Sequence, residues 1–135
     1  MQFTIPYEVS PASRPRVTKY GIFYTKNYEE FRRLVGIWLD QWKQKNNLQP
    51  FDKDVPLKAR FVFNMALPKS WSKRKRELCS GVPMISKRDL DNMVKAIQDV
   101  MQGRLFHDDC QIFYVVAEKY WEEEGSIEVY LNDKW

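Results

Sequence analysis

From Lys87 to Lys95 the chain reads Lys-Arg-Asp-Leu-Asp-Asn-Met-Val-Lys, and Asp108-Asp-Cys-Gln111 follows after a short loop. Asp89 and Asp91 open a helical pattern, at the end where the backbone dipole favours anions. Lys95 falls one turn beyond Asp91 on the same face, and the residues between point inward. If the next strand lies alongside this helix, Asp108 and Asp109 converge with Asp89 and Asp91 at one end of a sheet. Four carboxylates in one place repel each other and ionise together only around a cation. Oxygen-only donors select hard ions, Mg²⁺ or Mn²⁺ in its place. The chemistry to expect is metal-assisted phosphodiester hydrolysis, with one or two ions activating water and steadying the leaving oxygen. Candidate metal ligands are Asp89, Asp91, Asp108 and Asp109. The candidate catalytic set is Asp89, Asp91, Asp109 and Lys95, the lysine stabilising charge on the attacked phosphate or orienting the water.

Each residue also has an ordinary structural use. Asp89 can cap a helix, Asp91 can serve as a first-turn acid and pair with Lys95, and Asp108-Asp109 can form a turn. It is the combination, beside Lys87 and Arg88, that points to catalysis. Competing motifs fail on inspection. A calcium loop starting at Asp89 needs Gly at its sixth position and Glu at its twelfth, where Val94 and Val100 stand. Zinc finger and deaminase spacings are absent. His107 is the sole histidine, which excludes His-rich nuclease sites, and it is expected to pack beside Phe106. Cys79 and Cys110 read as reduced, partly buried thiols, too far apart and too few for a zinc site or a disulfide framework.

The net charge is only +4, but it is unevenly placed. Between Pro68 and Arg88 lie Lys69, Lys73, Arg74, Lys75, Arg76, Lys87 and Arg88 against the single acid Glu77, a surplus of six that leaves the rest of the chain at −2. A basic block on a slightly acidic protein suggests a polyanion partner, with a solvated surface run as the plain alternative. Aromatic residues make up 15% of the chain, enough to serve both a core and stacking on bases. No apolar run approaches the roughly 18 residues of a membrane span, and the N-terminus lacks the pattern of a signal peptide. A cytoplasmic protein without membrane association is expected.

These residues need elements to hold them. Phe3-Thr4-Ile5 reads as a first strand, Pro11 to Arg16 as a loop, and Tyr20 to Tyr24 as a small strand or ribbon. Asn27 can cap the first helix with Glu30 reaching back, ahead of an apolar stripe of Tyr28, Phe31, Leu34, Val35, Trp38, Leu39 and Trp42. From Val55 to Met65 the alternation is that of a half-buried strand. Ser70 to Cys79 fits a short basic helix capped by Ser70 or Ser72. Asp89 to Gly103 is the second main helix, with Leu90, Met93, Val94, Ile97 and Met101 buried and Gly103 as its stop. Cys110 to Tyr120 and Ser126 to Leu131 read as a closing hairpin. The expected fold is α+β (mixed α/β), one domain over residues 1–135 with two main helices on a mostly antiparallel sheet.

On Arg88-Asp-Leu-Asp-Asn92, Lys95, Asp99 and Asp108-Asp-Cys-Gln111 the chain resembles the RusA family of Holliday junction resolvases, found in phages and prophages. Ser13-Arg-Pro-Arg16, Pro68-Lys-Ser-Trp-Ser72 and Lys119 extend the resemblance over nearly the whole length. It implies a RusA-like homodimer that binds four-way DNA junctions during recombination and repair. Such a dimer nicks two opposing strands symmetrically with Mg²⁺ or Mn²⁺ and no small-molecule cofactor. It also implies that Asp89, Asp91 and Asp109 are the metal-binding acids, Lys95 the catalytic lysine and Asp108 a neighbouring acid. Arg14, Arg16, Arg88, Lys119 and the basic block would hold DNA. Trp121, Tyr130 and Trp135 offer apolar surface that a dimer could cover. Two rivals remain: a non-catalytic module for branched DNA, and a nuclease of the same chemistry acting on flaps, single strands or RNA.

Overall fold

The computed structural model describes residues 1–12, 16–23 and 26–134, with Arg16, Ile22 and Phe23 described by backbone alone. The roles expected for Arg14 and for the Arg16 side chain, the Tyr24 end of the ribbon, and Trp135 as apolar surface therefore lie outside the described residues.

A central strand organises the fold. In β4 (Leu57–Ala66), Leu57, Ala59, Phe61, Phe63 and Met65 alternate into the core. A strand this apolar is most stable with both edges paired, and it has β6 (Ser126–Asn132) antiparallel on one side and β5 (Ile112–Glu122) parallel on the other. With β1 (Gln2–Ile5) antiparallel to β6, the sheet order is β1-β6-β4-β5.

The closing hairpin expected from the sequence does not form. β5 and β6 are neighbours along the chain, but β4 lies between them. At the end of β4, Ala66 pairs with Glu122 and Asn64 with Ser126, so residues 123–125 step across the strand. Two strand spacings come to about 10 Å, which three residues can span. The step is tight enough to require glycine: a Cβ on Gly125 would lie 2.5 Å from Cβ of Glu8. Turn residues between two strands indicate a reversal, but not whether the two strands pair with each other.

Two helices cover one face of the sheet. α1 (Lys26–Lys45) buries Tyr28, Phe31, Val35 and Leu39, and its Trp42 ring sits 4.2 Å from the ring of Phe3 on β1. The aromatic stripe is thus packing, as its period predicts. Asn27 does not cap this helix, which starts at Lys26, and the Glu30 carboxylate is taken by Arg33 at 2.6 Å. α3 (Leu90–Met101) buries Met93, Ala96, Ile97, Val100 and Met101, and Gly103 ends it at φ 82°, a conformation that favours glycine. Between these helices comes α2 (Lys73–Cys79), whose cap is Ser72, its side chain accepting from the Lys75 N–H at 3.2 Å. A parallel β4–β5 pair requires a long crossover, and α2 and α3 supply it. A separate ribbon, β2 (Arg16–Thr18) against β3 (Gly21–Phe23), precedes α1.

Candidate active site and nucleic-acid interface

Asp89 stands at the N-cap of α3 but makes no capping hydrogen bond. Its carboxylate is exposed and unspent on helix stability. Among the described residues Asp91, in the first turn, accepts only from the adjacent Asn92 N–H, at 3.0 Å. The approach to this helix is fixed from two sides. Lys119 on β5 donates through Nζ to the Arg88 carbonyl at 2.7 Å, and the Arg88 guanidinium lies 3.6 Å from Glu8. Glu8 in turn accepts from the Ala66 N–H at the end of β4. Lys119, expected to contact DNA, has its ammonium on main chain through this one bond.

The second acid pair is held even more firmly. Leu105 and Phe106 are fully buried, anchoring the loop after α3. Gln111 is the one buried polar side chain among the described residues. Its Oε1 accepts from the N–H groups of His107 and Asp108 at 2.8 and 3.1 Å, and its Nε2 donates to the carbonyls of Asp52 and Val55. Asp108 accepts from the Cys110 N–H at 2.9 Å and completes a capping box with Gln111 around a single 3₁₀ turn, Asp109–Gln111. The Asp109 N–H reaches Gln102 Oε1 at 3.0 Å, which ties the turn back to the end of α3. The expectation of a turn at Asp108-Asp109 holds; what the sequence reading passed over is Gln111. Its signal was present, since Asp-x-x-Gln is a capping box.

Asp109 faces α3. Its carboxyl is held above the ordinary carboxylate range, first by partial desolvation, then by its hydrogen bond with Asp108 and the negative charges of Asp108 and Asp99; Lys95 pulls in the other direction. Asp108 is held below the ordinary range, mainly by the Cys110 N–H. Cys110 is pushed up, chiefly by its hydrogen bond to Asp108. Asp99 thus lies near Asp109, and Tyr28 on α1 fixes it by donating its hydroxyl to Oδ2 at 2.8 Å. Asp91, Lys95 and Asp99 recur every four residues, so one stripe of α3 alternates acid, cation and acid, with Lys95 and Asp99 near Asp109. That spacing was visible in the sequence.

The structure thus gathers Lys95, Asp99, Asp108 and Asp109, and sets Asp89 and Asp91 further up the same helix. Among the described residues no three acidic, histidine or cysteine side chains are close enough to hold one ion in this arrangement. In kind, the donors suit a hard cation: they are carboxylate oxygens, and the mutual repulsion around Asp109 is what a bound dication would relieve.

The basic segment is joined to the acids by the sheet edge. Gly81 donates to the Trp121 carbonyl at 2.7 Å, Trp121 to that of Val82 at 2.9 Å, and Met84 to that of Lys119 at 3.0 Å. Residues 81–84 therefore line the outer edge of β5 and lead from α2 to Lys87, Arg88 and Asp89. Lys69, Lys73, Arg74, Lys75 and Lys87 are exposed. Lys75 also lies over the Trp71 ring, at 4.0 Å, and Trp71 packs edge-on against Trp121. Arg76 differs. It is only partly exposed, lining a cleft with Lys73, Glu77, Glu123 and Glu124, and among the described residues its buried Nε has no partner. Trp121 also packs on the core, so it is not spare surface. Among the described residues no helix is long and apolar enough to cross a membrane.

Comparison with known proteins agrees with the motif. The chain is 35% identical over 86 residues to the crossover junction endodeoxyribonuclease rusA of Lactococcus phage r1t, a match that spans 62% of this chain and 59% of the phage protein. It is 31% identical over 142 aligned positions to the uncharacterized protein YqaN of Bacillus subtilis (strain 168), covering 98% of this chain and 96% of that one. Residues 6–132 match the family described as endodeoxyribonuclease RusA, and the chain belongs to that family.

Proposed function

We propose that this protein is a metal-dependent endodeoxyribonuclease that resolves four-way DNA junctions by paired, symmetric nicks, as a homodimer acting in recombination and repair. The observation that carries the reading is the acid–cation–acid stripe Asp91, Lys95 and Asp99, with Asp109 near Lys95 and Asp99 and a basic segment tethered to the same helix. Uncompensated acids on a DNA-binding surface would repel phosphate, so a module that only binds has no use for them.

Asp89, Asp91 and Asp109 would hold Mg²⁺ or Mn²⁺, with Asp108 alongside. Such an ion, when bound, supplies an activated water and neutralises charge on the phosphate oxygens. The protein's own contribution is positional and electrostatic. Lys95 presents a cation beside Asp109, where negative charge builds on the attacked phosphate. Gln111 and Gln102 orient the Asp108–Asp109 turn, and the Lys119–Arg88 bond sets the entry of α3. Lys69, Lys73, Arg74, Lys75 and Lys87 hold the DNA backbone. A four-way junction has near two-fold symmetry, so two copies related by a two-fold axis would present one site to each opposing strand.

Product mapping on a mobile four-way junction with Mg²⁺ tests the reading. Paired nicks at symmetric positions are expected. Cutting confined to flaps or single strands would overturn the junction assignment, and binding without cutting would overturn the enzyme.

A further inference from the structure

The tip of the β2–β3 ribbon stands in solvent. Of its residues whose side chains are described, 17–21, none belongs to the buried cluster, and Tyr20 at its tip is 79% exposed, more than any other aromatic ring among the described residues. Val17 beside it is 74% exposed. The tip is nonetheless ordered by local bonds: the Tyr20 N–H donates to Thr18 Oγ1 at 3.1 Å, and the Lys19 ammonium sits 5.0 Å from the centre of the Tyr20 ring. A ring and a cation are thus presented together to solvent.

The chain on either side of the ribbon is fastened to one helix. Ala12 N–H donates to the Asn92 carbonyl at 3.0 Å before it, and the Tyr28 hydroxyl donates to Asp99 at 2.8 Å after it. Asn92 and Asp99 lie on α3 on either side of Lys95, about 10 Å apart at ~1.5 Å per residue. The described chain before and after the ribbon is therefore anchored on α3 on both sides of Lys95.

We infer that the ribbon tip is a wedge for the branch point of the DNA, with Tyr20 stacking on a base there and Lys19 meeting the adjoining phosphate; this rests on the junction-cleaving reading above. An aromatic ring with a nearby cation matches the π-face and charge of a nucleotide, and side chains inserted at a base step unstack it. Bases at a branch have already lost part of their stacking, so insertion costs least there. Regular duplex offers no such opening, and the wedge therefore contributes to structure selectivity more than to general affinity.

The test uses a four-way junction carrying 2-aminopurine at the branch, with no added divalent metal so that strands stay intact. Wild-type protein should raise the probe fluorescence on binding, and Tyr20→Phe and Tyr20→Trp should do the same. Tyr20→Ala should abolish the rise and weaken junction binding roughly tenfold while leaving duplex binding unchanged, as for the loss of one base stack. If Tyr20→Ala binds, brightens the probe and cuts like wild type, the wedge is wrong and the nuclease reading stands. If Tyr20→Ala instead lowers the mass in light scattering with the probe response intact, the ribbon is a contact between copies and the wedge is again wrong. Failure of the wild-type protein to bind the junction would remove both readings together.

Discussion

The ammonium of Lys119, on β5, donates to the main-chain carbonyl of Arg88 at 2.7 Å, so the residue immediately before Asp89 is anchored to the sheet. A lysine used this way is a positioning residue. Lys119→Met keeps the length of the side chain and removes the bond. Turnover on a junction should fall about tenfold or more, the scale of a small misplacement of catalytic groups. Its salt dependence of binding should not change, whereas loss of a phosphate contact would lower that slope by about 0.9. A lowered slope with normal turnover would return Lys119 to the DNA surface.

The acids are tested by neutral isosteres. Asp89→Asn, Asp91→Asn and Asp109→Asn should each abolish cleavage with Mg²⁺ while leaving junction binding intact or tighter, because each removes a ligand and a repulsive charge. Gel-shift and cleavage assays on one substrate separate the two effects. Full activity in any two of the three would sink the assigned site.

Lys95→Ala should reduce turnover by roughly two powers of ten or more, the size of one lost electrostatic contact in the transition state. Junction affinity should change far less. Equal losses in both would make Lys95 a phosphate anchor.

Replacing Lys73, Arg74 and Lys75 by Ala should weaken binding to every DNA and flatten its salt dependence, by up to about 2.7 at ~0.9 per phosphate contact. Arg76→Ala alone should leave the slope unchanged, since Arg76, unlike the exposed Lys73 that shares its cleft with Glu77, Glu123 and Glu124, is partly buried there. An unaltered slope in the triple variant would make α2 an ordinary solvated helix.

Light scattering at micromolar concentration should give about twice the 16.3 kDa chain mass. Of the apolar residues suggested as dimer surface, Trp121 is already engaged by Trp71, and Tyr130 has Arg60 over its ring at 5.3 Å. A stable monomer that still makes paired symmetric nicks would overturn the symmetry argument.

Much of this protein can be read along the chain because it depends on periodicity and local spacing. The stripe of α1, the alternation of β4, the Gly103 stop and the acids grouped around Lys95 are patterns that short-range geometry imposes on any chain. Asp99 and Gln111 were legible by the same logic, as the next residue of a four-residue spacing and as half of a capping box. Other features exist only once distant segments meet. No local signal separates a hairpin from two strands with a third between them; that choice came from β4, whose two apolar-flanked edges both needed partners 50 or more residues away. Tertiary structure likewise decided that the Lys119 ammonium would meet the Arg88 carbonyl, and that Arg76 would sit partly buried in a cleft with Lys73 and three glutamates. Side-chain type sets what a residue can bond, but the partner it finds depends on what the fold brings within about 3 Å.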